Sequence, residues 1–168
     1  MDTLSATELS SGWWEGEAII GKSQEHSFWA LKEMRKRTPF QWEDWTWIRL
    51  RSSLTIPCIN IASRRGLSSP GHDRMERMTV AYIEQKNWTH VWKVLGYLRY
   101  DTAKELILIS NLYHNELRLC RNFFQPVMKL TEKVRIGGRG KRKHDVLKAP
   151  HHRMMESNQI SDKTKAEL

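Results

Sequence analysis

The stretch AYIEQKNWTHVWKVLGYLRYD, residues 81–101, decides the fold together with LYHNELRLCRNFFQPVMKL, residues 112–130. Apolar side chains at helical spacing predict a helix from residue 80 to Arg99, with Asn87 on the same face. Asp101 is expected to cap a second helix. The predicted apolar faces consist of Val80, Ile83, Val91, Val94 and Leu98 in the first helix, and of Leu106, Ile109, Tyr113, Leu117, Cys120 and Phe124 in the second. Two long helices joined by a tight turn are expected to pack against each other.

The N-terminal sequence predicts a β-hairpin followed by one short helix. Residues 3–20 contain strand-forming Thr, Leu, Trp and Ile on both sides of a Ser-Ser-Gly turn. Ser23 is expected to cap a helix that runs to Arg37, because serine accepts hydrogen bonds from the free N–H groups of a helix start. Phe28, Leu31 and Met34 are predicted to form its buried face.

Positive charge is concentrated in the second half of the chain. Residues 1–84 carry eleven basic and eleven acidic side chains, so the whole formal charge of +9 falls in residues 85–168. The tract KLTEKVRIGGRGKRKHDVLKAPHHR, residues 129–153, is the most basic part, and its glycines predict an irregular or hairpin-like arm. Such an asymmetry favours a polyanionic partner such as nucleic acid, the alternative being a soluble basic surface.

Several other classes of protein are not indicated. Cys58 and Cys120 lie far apart without a CxxC partner, so neither a disulfide framework nor a zinc site is suggested. No apolar run approaches the roughly 20 residues that cross a bilayer, and no signal peptide is recognisable. A cytoplasmic protein without a membrane partner is therefore expected.

The two helical stretches, followed by EKVRIGGRGKRKHD at residues 132–145, resemble the C-terminal half of DDE transposases of the integrase type. Residues 3–40 resemble the segment after the family's first catalytic strand. The resemblance implies an RNase H-like core, a mixed sheet flanked by helices. Here that core would be incomplete, giving an α+β or mostly α fold with an N-terminal hairpin, one short helix and two long C-terminal helices. In the intact family three carboxylates hold two Mg²⁺ ions roughly 3.5–4 Å apart for DNA cutting and strand transfer.

The resemblance also implies the candidate site residues. The family's third acid falls on Glu84, the one catalytic and metal-binding candidate, with Lys86 and Asn87 beside it as DNA-facing groups. The first acid is expected before residue 1, and the second in a stretch resembling DSDNGSEF shortly after Phe40, which does not occur. The chain is therefore interpreted as a truncated member that binds no Mg²⁺ stably. The candidate DNA contacts in the basic arm are Lys129, Lys133, Arg135, Arg139, Lys141, Arg142 and Lys143.

Residues 41–79 follow neither helical nor strand periodicity. A shifted reading frame over residues 64–79 permits a peptide containing EFTRSRPYGKND, which resembles what the family carries before its EQKN motif. This favours an out-of-frame insert bracketed by two compensating indels, and the nucleotide sequence tests it. Residues 41–78 are then expected to be poorly ordered, and the hairpin is expected to keep an exposed edge.

The sequence thus divides into a core remnant at 1–40, the out-of-frame segment at 41–79, the helical pair at 80–125 and the basic arm at 126–168. The favoured interpretation is an inactive transposase remnant that binds DNA without sequence preference. One alternative is an active transposase subunit whose missing acids come from a separate polypeptide. Another is a small helical interaction protein unrelated to DNA.

Overall fold

The computed structural model describes residues 1–21, 23–38, 45–50, 82, 84–137, 139–157 and 160–167. For residues 45–50, and at positions 133, 136, 139 and 167, the description covers the backbone only. The described chain is a mixed α/β structure with an N-terminal β-hairpin and several helices.

The predicted hairpin is confirmed. Strand β1, Asp2–Glu8, pairs antiparallel with β2, Trp14–Ile19, with Asp2 opposite Ile19. Gly12 closes the turn at a φ of 82°, a left-handed conformation that side chains disfavour. A Cβ at this position would also lie 3.2 Å from the Tyr82 hydroxyl, a tight contact, so both the backbone conformation and the space favour glycine.

The hairpin was expected to keep an exposed edge; a third strand covers its β1 side, whereas β2 remains an edge strand among the described residues. Strand β3, Trp45–Leu50, pairs antiparallel with β1, so the sheet order is β2-β1-β3 and β1 is the central strand. Pairing runs from Thr3 opposite Leu50 to Glu8 opposite Trp45. The strand lies within the predicted patternless segment, whose residues 41–44 and 51–79 fall outside the described part of the chain.

Helix α1, Gln24–Arg37, begins and ends as predicted. The Ser23 side chain accepts a hydrogen bond from the His26 N–H, and Thr38 follows the last turn in an extended conformation. The buried face consists of Ser27, Ala30 and Met34, whereas Phe28 is 69% exposed. The prediction that Phe28 is buried was wrong because the small residues of α1 face the sheet.

The first helix of the predicted pair, α2, is helical at 84–87, widens to a π-helical segment at Trp88–Trp92 and closes with Lys93–Leu95. Gly96, at a φ of 70°, ends it four residues before the predicted end near Arg99. Val91 is buried as predicted, but Val94 and Leu98 are exposed.

The second helix, α3, comprises Ala103–Leu112 and two π-helical segments, Tyr113–Leu117 and Cys120–Phe124. Thr102 caps it, not Asp101, and Glu105 completes a reciprocal capping box with Thr102. Ile109, Tyr113 and Leu117 are buried as predicted, while Cys120 and Phe124 are exposed.

The C-terminal part begins with a second antiparallel pair, β4, Leu130–Ile136, and β5, Arg139–His144. Two short helices follow, α4 at Pro150–Glu156 and α5 at Asp162–Glu167. Among the described residues, no helix combines the length and apolar character needed to cross a bilayer.

Two apolar clusters cover the N-terminal hairpin. The alternation of side chains along β1 sends Leu4 and Ala6 into one cluster, while the Thr3 hydroxyl meets that of Tyr113 at 2.9 Å beside the other. The first cluster contains Leu4, Ala6, Trp13, Ile19, Ala30, Met34 and Met154. The second contains Trp14, Ala18, Val91, Ile109, Tyr113 and Leu117. The hairpin is therefore covered by α1 and α4 through one cluster and by α2 and α3 through the other.

Candidate nucleic-acid interface

Glu84, the candidate third acid, lies on the exposed side of α2. Lys86 is two residues further on, which is about 200° around a helix of 3.6 residues per turn, and it is buried. Lys86 and His90 stand one turn apart on the same buried face, with Asn87 beside them. The structure thus places Glu84 and Lys86 on different sides of α2, although the sequence grouped them around a single site.

Lys86 is buried against Tyr82 and Gly12. Its side chain is only 6% exposed, and its ammonium nitrogen lies 5.4 Å from the centroid of the Tyr82 ring. Burial, together with the charges of Lys129, Arg121 and Arg153, lowers the pKa of Lys86 to about 8. Burial likewise raises the pKa of Tyr82 to about 12. The proposed contact between Lys86 and DNA stays a prediction that requires this buried ammonium to become accessible.

Asn87 and His90 continue the buried polar face of α2. Asn87 is 1% exposed, and neither atom of its amide finds a hydrogen-bond partner among the described residues. His90 packs edge-on against Trp14 at 5.3 Å between ring centroids. Burial, with the charges of Lys86 and Arg121, lowers the pKa of His90 to about 2, so its imidazole is neutral at physiological pH.

Residues of the β1–β2 turn link this face to the basic tract. The Glu8 carboxylate accepts hydrogen bonds from the backbone N–H groups of Ser10 at 2.7 Å and Ser11 at 2.6 Å. The Lys129 ammonium donates to the Leu9 carbonyl at 2.7 Å. Lys129, a predicted DNA contact, is therefore half-buried and bound to the hairpin turn.

The remaining basic candidates lie in the β4–β5 pair, named here the basic ribbon, residues 130–144. Arg135, Lys141, Arg142 and Lys143 are all exposed, and no ion pair holds them within the described part of the chain. The backbone register places Lys133 opposite Arg142 and Ile136 opposite Arg139. Six of the seven predicted arm contacts therefore share one two-stranded element.

An ion pair that the sequence analysis did not predict holds the base of the ribbon. The Asp145 carboxylate accepts from the Lys129 N–H at 2.6 Å and from the Arg153 guanidinium at 2.5 Å. Arg153 also donates to the Val127 carbonyl at 2.7 Å. The hydrogen bonds from Arg153 and then from Lys129 hold the pKa of Asp145 below its usual range. A signal was present, since Asp145 directly follows the basic strand and Arg153 falls one turn into a helix that starts at a proline.

The surroundings of Glu84 bear on the metal centre that the resemblance implies. Among the described residues, no group of three His, Cys, Asp or Glu side chains is arranged to hold a metal ion. The described residues therefore supply no counterpart of the three carboxylates that the two-metal centre implied by the resemblance needs.

Comparison with known proteins leaves the family open. No family model matches the chain, and no solved structure matches it. The chain is similar to a Sinorhizobium fredii protein described as "Uncharacterized protein y4rM", with 27% identity over 139 residues, which is 83% of this chain. The matched region spans 39% of the length of that relative.

Proposed function

We propose that this chain is a remnant of a DNA transposase or integrase that binds duplex DNA through the basic ribbon. The observation that carries the proposal is the exposure of Arg135, Lys141, Arg142 and Lys143 on one two-stranded element. Glu132 is the only acidic residue of its two strands. Lys and Arg side chains that neutralise DNA phosphates release condensed counterions, which drives binding without sequence preference.

The kinship to transposases is supported by sequence resemblance alone. The EQKN motif around Glu84 and the NFFQP motif at residues 122–126 carry it. The described three-stranded sheet is antiparallel throughout, whereas the family's core has a mixed sheet. An RNase H-like core therefore stays a proposal. Catalytic inactivity is also proposed, because the chain has one candidate catalytic acid and the family uses three.

The salt dependence of DNA binding tests the proposal. Four phosphate contacts give a slope of log K against log salt of about −3.6, which is about a hundredfold loss of affinity between about 50 and about 200 mM salt. Fluorescence anisotropy with a labelled 20-base-pair duplex of random sequence measures this slope. An affinity that ignores salt, or the absence of binding at the lower salt, would contradict the proposal.

Catalytic inactivity has its own test. Incubation of the full chain with duplex ends and Mg²⁺ is expected to yield no cleaved or joined strands on a denaturing gel. A Mg²⁺-dependent product that disappears in Glu84→Gln would instead favour an active transposase.

A further inference from the structure

We infer that the basic ribbon enters the major groove of duplex DNA with its two faces against the two phosphate rows that border the groove. The inference rests on the proposed DNA binding and adds the mode of contact. It starts from the distribution of cations over the two faces of the ribbon.

The register assigns the cations to opposite faces. Residues directly opposite each other in an antiparallel pair lie on the same face, and successive residues alternate. Lys141 stands opposite Val134 and Lys143 opposite Glu132, so these two lysines share one face. Arg142 and Arg135 occupy alternate positions and share the other face. Each face therefore carries two exposed cations.

Among the ribbon residues whose side chains the structure describes, both faces are exposed. In β5, Gly140 and the four residues from Lys141 to His144 are exposed, and so are Thr131, Glu132, Val134 and Arg135 in β4. A strand of seven residues is about 20 Å long, so the ribbon can project well away from the hairpin. The Asp145–Arg153 ion pair holds its base against α4.

Dimensions favour the major groove over the minor groove. Sheets stack about 10 Å apart, which approximates the thickness of one ribbon with side chains on both faces. The major groove of B-DNA is about 12 Å wide and admits a two-stranded ribbon, whereas the minor groove is about 6 Å wide. A ribbon with cations on a single face would suit a flat contact with one phosphate row, and this ribbon has them on both.

Groove-selective blocking of one DNA sequence tests the inference with the full chain. In a duplex that contains both cytosines and runs of A·T pairs, glucosylated hydroxymethylcytosine places sugars in the major groove, and netropsin occupies the minor groove of the A·T runs. We expect the glucosylated duplex to bind roughly tenfold more weakly, the equivalent of one good groove contact, and netropsin to leave the affinity unchanged. Equal affinity for the glucosylated duplex, or competition by netropsin, would overturn the inference.

Paired substitutions test the use of both faces. Lys141→Ala with Lys143→Ala removes the cations of one face, and Arg135→Ala with Arg142→Ala removes those of the other. Each pair is expected to reduce the magnitude of the salt slope by about 2. The control, Lys104→Ala with Lys163→Ala, removes two exposed lysines outside the ribbon and should leave the slope unchanged. A change in only one of the two ribbon pairs would indicate a flat contact and overturn the inference.

An RNA duplex of the same sequence separates DNA from a general polyanion. The major groove of A-form RNA is deep and narrow, so weaker binding than to DNA is expected, and equal binding would contradict entry into the groove. If binding to DNA depends on salt but is unchanged when either groove is blocked, the proposed DNA binding stands and entry of the ribbon into the major groove is refuted. No binding to unmodified DNA would refute both.

Discussion

Charged side chains are treated in opposite ways by the N-terminal hairpin and by the basic ribbon. Glu15 on β2 is fully buried, and its carboxylate accepts from the Trp13 indole N–H at 2.9 Å and from the Arg118 guanidinium at 2.7 Å. Glu17 forms an ion pair with Arg37 at 2.7 Å. The ribbon instead exposes Arg135, Lys141, Arg142 and Lys143, which form no ion pair within the described part of the chain.

The difference separates structural charge from charge that is open to a ligand. A buried charge without a partner costs several kcal/mol, and the Glu15 carboxylate is buried together with the groups that neutralise and bind it. Exposed cations cost little, and they remain free to neutralise an external polyanion. Substitution should consequently affect stability in the hairpin and DNA affinity in the ribbon.

The largest expected effect is that of Glu15→Ala. It leaves Arg118 without its carboxylate partner, while Arg37 keeps its ion pair with Glu17, and removal of one partner from a buried pair costs about 3–5 kcal/mol of unfolding free energy. Urea denaturation followed by circular dichroism measures the change. Glu33→Ala is the matched control, because Glu33 pairs with Lys36 on the exposed face of α1 and should leave the midpoint unchanged. Similar urea midpoints for both variants would contradict the distinction between buried structural charge and exposed charge.

A smaller and pH-dependent effect is expected from Lys86→Met. Because the pKa of Lys86 is lowered to about 8 in the folded chain, the unfolded chain binds more protons between pH 8 and 10.5, and stability rises with pH in that window. The variant lacks this rise. The free energy of unfolding of Lys86→Met minus that of the natural chain should therefore fall by about 2 kcal/mol between about pH 7 and about pH 9.5.

The pH range of this experiment excludes a competing group. Tyr82 has a raised pKa of about 12, so its contribution is intact below the unfolded value of about 10 and is lost only as pH rises beyond it. Urea midpoints of both proteins at four pH values give the comparison. A constant difference across the range would show that the Lys86 ammonium is solvated in the folded state. Lys86 would then belong with the ribbon cations, not with the buried charges.

Local signals in the sequence predicted the hairpin, the start of α1 at Ser23 and the position of the basic ribbon. Each depends on neighbours in the chain: a glycine turn, a capping serine, or a dense run of cations around glycines. The pairing of β3 with β1 and the Glu15–Arg118 ion pair join residues far apart in sequence, and no local pattern indicates them. The burial of Lys86 was missed for the same reason, whereas Asn87 was predicted on the apolar face of the helix and is buried there. Periodicity shows which residues share a helix face, but not which face meets the sheet.

The smallest expected effect, confined to the ribbon, follows from Asp145→Asn. The substitution weakens the acceptor for the Lys129 N–H and the Arg153 guanidinium, so amide hydrogen exchange should accelerate in β4 and β5 while β1 and β2 keep their protection. Since the pKa of Asp145 is held below its usual range, its contribution is complete above the unfolded value of about 3.9 and is lost as pH falls through the lower folded value. In the unsubstituted chain, the amide hydrogen-exchange protection factors of β4 and β5, corrected for intrinsic exchange, should therefore be constant from pH 7 to 5 and decline only below about pH 4. Equal acceleration in all four strands would mean that the ribbon and the hairpin unfold as one unit, which would remove the structural basis for assigning stability to one and DNA affinity to the other.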